Sequence, residues 1–226
     1  IYGTRHNNNK DAWLVVRSQT PQAFLAYLIS SSGLNTTPIT SPSIVNNPMG
    51  ITVPGYSPIK ISYDGMNLVT AYPNDTSAEY CHFSTNTGMV TPLFKFVTKY
   101  RGEKYISVGC EFSQDSKFLY VCSTAIFSLP SEFPKSLLFQ FDATSIDSAQ
   151  FMQSEIIIDS SFSFDYYRGL QIASDHKIYS CIYLVDSVSV INNPNIQGAG
   201  CNFQKNAISL NGISGLYGLP QFIQRY

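Results

Sequence analysis

A formal net charge of −1 over 226 residues leaves too little positive charge to neutralise several phosphates, and the densest basic stretch is only Lys95, Lys99, Arg101 and Lys104, which argues against nucleic acid as a partner. Charged residues make up 13% of the chain, about half the share of an ordinary soluble domain, so the surface must be covered by Ser, Asn, Thr, Gln and Tyr, as in secreted proteins. No apolar run approaches the roughly 18 to 20 residues that span a bilayer, so no membrane insertion is expected.

The chain opens directly on strand-like sequence, without the basic and apolar regions of a signal peptide, and reads as a piece of a longer protein. In chain order, the first hairpin turns through Asn9, Lys10 and Asp11 into Ala12-Trp-Leu-Val-Val, and Ala23 to Ile29 follows as a third strand. The second begins at Ile59-Lys-Ile-Ser-Tyr-Asp64-Gly, the third at Val108-Gly-Cys-Glu-Phe-Ser-Gln-Asp115, and the fourth at Gly169-Leu-Gln-Ile-Ala-Ser-Asp175. Asp64, Asp115 and Asp175 fall in one slot, where Asp and Gly tolerate the backbone angles of a tight hairpin. Third strands run from Glu79, Leu137 and Ser187, rich in β-branched and aromatic residues with period-two alternation. Outer strands are expected at Pro92 to Phe96, Gln153 to Ile158 and Ala207 to Leu210, and helix content should be small.

Four strands recurring every ~50 to 60 residues give the arithmetic of a β-propeller, whose blades repeat at roughly 40 to 50. The expected fold is therefore all-β, with WD/YVTN-like four-stranded antiparallel blades. About four of them, near residues 1–45, 56–98, 105–159 and 166–212, would form part of a larger ring, with 213–226 as a closing segment. A single blade cannot bury both faces, so its stability must come from neighbours stacked around an axis.

Five cysteines, Cys81, Cys110, Cys122, Cys181 and Cys201, are an odd number. Cys110 and Cys122 flank one hairpin and are read either as a cross-strand bond or as buried thiols. No CxxC or Cys/His spacing suggests zinc.

The segments Val190-Ile-Asn-Asn-Pro-Asn, Gly198-Ala-Gly-Cys201, Ile208-Ser-Leu-Asn-Gly and Gly218-Leu-Pro-Gln-Phe-Ile-Gln-Arg-Tyr226, with His6 to Trp13 at the front, carry a family signature. With these, the chain resembles the propeller of large exported Bacteroidota proteins, which often continue into PKD-like domains and a gliding-motility-associated C-terminal domain used by the type IX secretion system. The resemblance implies a place on the cell surface and contact with the secretion machinery through regions outside this chain. It brings no catalytic residues.

For chemistry, His6, His82 and His176 lie in turns or an alternating strand and read as surface or packing residues rather than ligands. No HExxH motif occurs, and Gly212-Ile-Ser-Gly lacks the spacing of a nucleophile elbow. The recurring Asp64, Asp115 and Asp175 read as turn caps, and a structural calcium has no motif to support it. Glu103, Glu111, Asp142 and Asp165 are nominal candidates for acid–base work. Phe162, Phe164, Tyr166, Tyr167 and Arg168 form the expected binding platform for a sugar or peptide, because this aromatic-rich loop precedes an inner strand. Asp147-Ser and Asp186-Ser fit a short O-glycosylation pattern.

The main expectation is a non-catalytic, structural or adhesive module that presents loops to a polysaccharide or protein. The alternative is a carbohydrate-active lyase or hydrolase with its site at the propeller axis. An intracellular WD-repeat scaffold is disfavoured, since blades here lack the closing Trp-Asp dipeptide.

Overall fold

The computed structural model describes residues 1–45, 58–125, 129–163, 166–216 and 218–220. Eighteen strands among them form four antiparallel sheets, each a meander in sequence order. The first sheet holds β1 (Tyr2–Arg5), β2 (Ala12–Gln19), β3 (Gln22–Ser30), the short β4 (Gly33–Leu34) and β5 (Ile39–Pro42), the last also pairing with β3. The second holds β6 (Ile59–Ile61), β7 (Asn67–Tyr72), β8 (Ser77–Phe83) and β9 (Val90–Phe96). The third adds the two-residue β10 (Lys99–Tyr100) to β11 (Glu103–Phe112), β12 (Phe118–Ala125), β13 (Ser136–Asp142) and β14 (Ile156–Ser161). The fourth holds β15 (Tyr167–Ile172), β16 (Ile178–Ile182), β17 (Ser187–Ile191) and β18 (Phe203–Ser209). These are the blades of a β-propeller, as the repeat implies.

The blades stack in order, first on second, second on third and third on fourth, with β1, β6, β11 and β15 innermost; among the described residues no comparable packing joins the fourth to the first. The core divides the same way. Trp13, Val15 and Phe24 meet Ile59, Ile61 and Leu68 between the first two blades. Val69, Tyr80 and Phe94 meet Cys110, Phe112 and Phe139 between the second and third. Val108, Tyr120 and Leu138 meet Leu170, Ile172 and Ile191 between the third and fourth. Each large apolar side chain buried in this way contributes on the order of 1.5–3 kcal/mol, so the interfaces, rather than any single sheet, hold the fold.

Polar pins lock neighbouring blades together. Trp13 Nε1 donates to the Thr85 carbonyl at 2.8 Å, Tyr80 to that of Ala143 at 2.7 Å, and Tyr120 to that of Pro194 at 3.0 Å. Each donor sits in one blade and each acceptor in the next, so a buried aromatic satisfies its polar atom across the interface.

The hairpin turns repeat their chemistry. Asp64, Asp115 and Asp175 each accept the amide two residues ahead, at 2.9, 3.2 and 3.2 Å. In the first blade this part falls to Asn8, which accepts from Lys10 at 3.0 Å, rather than to the Asn9-Lys10-Asp11 run. The residue after each is left-handed: Asn9, Gly65, Ser116 and His176 have φ between 57° and 78°. An Asx side chain replaces a backbone acceptor there, and this is what closes the turn.

Two expectations need correction. The outer strand of the third blade starts at Ile156 rather than Gln153, because Ser148–Gln153 folds as a short helix, α1. Asp147 caps it by accepting from the Gln150 amide, and Phe151 inserts into the core, stacked on Phe141 at 4.8 Å. Cys110 and Cys122 cannot bridge, since Cys110 is paired with Val121 and Cys122 with Gly109. That one-residue offset sends the two thiols to opposite faces of the blade, one into each flanking core. All five cysteines are buried free thiols.

Candidate functional site

In three of the four inner strands, β6, β11 and β15, a polar residue stands between two apolar ones, four positions before the turn Asp. Ile59 and Ile61 face the first blade, so strand alternation turns Lys60 the other way, towards the third. Cys110 and Phe112 face the second blade and free Glu111 to point onward, and Leu170 with Ile172 does the same for Gln171. The three side chains converge at the axis. Lys60 Nζ donates to Glu111 Oε2 at 2.7 Å and to Gln171 Oε1 at 2.8 Å. Glu111 also accepts the Ile172 amide at 3.1 Å through Oε2 and the Phe112 amide at 3.0 Å through Oε1. Gln171 Nε2 donates to the Ile172 carbonyl at 2.8 Å.

The pair is sealed from water, with side-chain exposures of 2% for Lys60 and 0% for Glu111. The other ion pairs among the described residues, Lys95–Asp75 and Lys117–Asp115, are partly exposed. The Tyr2 ring lies 5.5 Å from Lys60 Nζ. Its buried hydroxyl has no hydrogen-bond partner among the described residues. Burial, and then the charge of Glu111, raise its pKa well above the usual phenol value, so it remains a proton donor at neutral pH. Just along the strands, an added Cβ at Gly109 would lie 2.5 Å from Cys122 Sγ and 3.0 Å from the Arg168 carbonyl. Only glycine lets the third and fourth inner strands approach so closely.

The expected aromatic platform is divided. Tyr167 turns into the core between the third and fourth blades and donates its hydroxyl to the Asp159 carboxylate. Arg168 and Tyr166 lie together on another side, with the guanidinium 5.5 Å from the Tyr166 ring and 5.6 Å from that of Tyr183. Phe162 is exposed, and Phe164 and Asp165 lie outside the described residues. Of the nominal carboxylates among the described residues, Glu111 alone reaches the axis; Glu103 is exposed, and Asp142 caps its own turn by accepting from Thr144 at 2.9 Å. His6 accepts from the Asn8 amide and packs against Trp13, while His82 and His176 are exposed. Among the described residues no group of His, Cys, Asp or Glu is placed to hold a metal. Ser187 is 7% exposed, so the Asp186-Ser187 pair is no surface acceptor for a glycan.

Lys60, Gln171 and Tyr2 were not singled out from sequence. The signal for the first two was present: once the hairpins are superposed, Lys60, Glu111 and Gln171 share one slot in otherwise apolar strands.

No family model matches the chain, and no curated protein matches it. Solved structures do. A Lactobacillus plantarum protein superposes with a TM-score of 0.54 at 11% identity, over 95% of this chain and 61% of that one. The periplasmic gluconolactonase of Pseudomonas aeruginosa gives 0.54 at 14% identity, over 84% of this chain and 52% of that one. A proposed 6-phosphogluconolactonase from Bacteroides fragilis gives 0.50 at 14%, with the same coverages. The chain thus spans about half to three fifths of these proteins, and the likeness is one of fold. It overturns the expectation that a propeller of this kind is non-catalytic: the same blade arrangement serves in proteins named as lactonases.

Proposed function

We propose that this chain supplies the axial part of a hydrolase that opens sugar-derived lactones or related esters. The observation that carries the reading is the convergence of Lys60, Glu111 and Gln171 from equivalent positions in three successive inner strands, with the Tyr2 ring 5.5 Å from Lys60 Nζ. The lactonase names among proteins of the same fold support it.

The chemistry such a set can perform is limited and specific. The axial cluster is closed as it stands, so the chemistry requires it to open to a water and the substrate; Glu111 then takes a proton from the water as its oxygen attacks the lactone carbonyl carbon. Lys60 and the Tyr2 hydroxyl donate to the oxygen on which charge develops, in surroundings shielded from water where such bonds are strongest. The ring C–O bond then breaks, and the proton held by Glu111 passes to the departing oxygen. Gln171 holds the ammonium in place.

The test is δ-gluconolactone opening by the purified chain, followed in a pH-stat against the uncatalysed rate. Wild type should exceed the background, Glu111→Gln should lose ~10²-fold or more, and Tyr2→Phe about tenfold or more, both with the wild-type circular dichroism spectrum. A wild-type rate equal to spontaneous hydrolysis, or one untouched by Glu111→Gln, overturns the reading.

A further inference from the structure

We infer that Tyr166, Arg168 and Tyr183 form a subsite for a carboxylate-bearing saccharide, independent of any chemistry at Glu111. The guanidinium lies 5.5 Å from the Tyr166 ring and 5.6 Å from the Tyr183 ring, and both tyrosines are half-buried rather than covered. The Tyr183 amide donates to the Tyr166 carbonyl at 3.0 Å, so the two walls are fixed to one another by backbone. Arg168 enters no ion pair among the described residues, and its buried Nε has no hydrogen-bond partner among them.

That combination points to a ligand. A buried guanidinium nitrogen left unpaired costs free energy that a bound acceptor recovers. The guanidinium is a planar fork of N–H donors that matches a carboxylate in two parallel bonds. The flanking rings offer flat apolar surface for the C–H face of a pyranose.

Position agrees with this. Tyr166 ends the connection from β14 to β15, Arg168 is the second residue of β15, and Tyr183 lies in the connection between β16 and β17. Both connections emerge at the end of the blades opposite the Asx turns. Arg168 stands three residues before Gln171 on the same inner strand, about 10 Å from it at strand spacing.

The experiment is isothermal titration at low ionic strength with a galacturonate trisaccharide, the neutral galactose trisaccharide and inorganic phosphate. The acidic saccharide should bind at least ~10-fold more tightly than either other probe, and Arg168→Gln should abolish that preference. Arg168→Lys, which keeps the charge but loses the planar fork, should recover only a small part of it. Glu111→Gln should bind like wild type, which separates this subsite from the lactone reading. Equal affinity for the acidic and neutral sugars, preference for phosphate, or an Arg168→Gln variant that unfolds like wild type and still discriminates would each overturn the inference.

Discussion

Glu155 joins α1 to the outer strand of the third blade, and its Oε2 is buried with no hydrogen-bond partner among the described residues. Burial pushes its pKa from the ordinary 4.5 up to about 7. The folded chain therefore keeps a proton that the unfolded chain releases, and stability falls as pH rises through the window between these two values. Glu155→Gln should remove that slope and make the protein more stable than wild type at pH 8. Urea titrations at pH 5 and pH 8 check this; an unchanged slope in the variant would place the charge elsewhere. The buried thiols behave in the opposite functional sense: burial pushes Cys122 up to about 12, so it stays protonated and inert.

Also at residue scale, single positions show what sequence could and could not disclose. The turn aspartates were legible, because an Asx acceptor followed by a left-handed residue is a local device. Lys60 pairing with Glu111 was not, since the partners lie 51 residues apart and meet only when blades stack. Arg168 was expected beside aromatic residues of its own loop, but the Tyr183 ring near it comes from a different connection.

At the scale of elements, strand existence followed from period-two alternation, because each strand presents one face to each neighbouring blade. The α1 helix escaped that reading. Its six residues are too few for a helical period to stand out, and only Phe151 is fully buried. The interblade pins were equally hidden, since a tyrosine's acceptor carbonyl belongs to another repeat. Gly88 shows how tightly these pins constrain their surroundings: φ is 74°, and an added Cβ would lie 2.7 to 3.0 Å from the Trp13 ring. Gly88→Ala should cost about 2–4 kcal/mol through strain and clash together. Trp13→Phe, which loses the bond to Thr85 but relieves no strain, should cost about 2 kcal/mol. Thermal unfolding would register either; a Gly88→Ala variant as stable as wild type would mean that the ring is not packed there.

Across the whole molecule, the class of fold was legible because the repeat itself is in the sequence. The axial cluster was not, because it is assembled from residues that no repeat unit contains alone. Export and partners rest on the sequence resemblance only, and most of its closing motif, from Gln221 to Tyr226, lies outside the described residues. The non-catalytic expectation changed because proteins of the same fold are named as lactonases; the carboxylate, ammonium and phenol at the axis came together only once the blades were stacked.

The stacking of blades through their inner strands is tested most directly by a double-mutant cycle on the axial pair, using Lys60→Met, Glu111→Gln and the double variant in urea unfolding. Each single change should cost about 3–5 kcal/mol by leaving a buried polar or charged partner uncompensated. The double variant should cost far less than their sum, with a coupling of roughly 2–3 kcal/mol. Costs that add within about 0.5 kcal/mol would mean that the two side chains do not meet, and the arrangement of blades described above would be wrong.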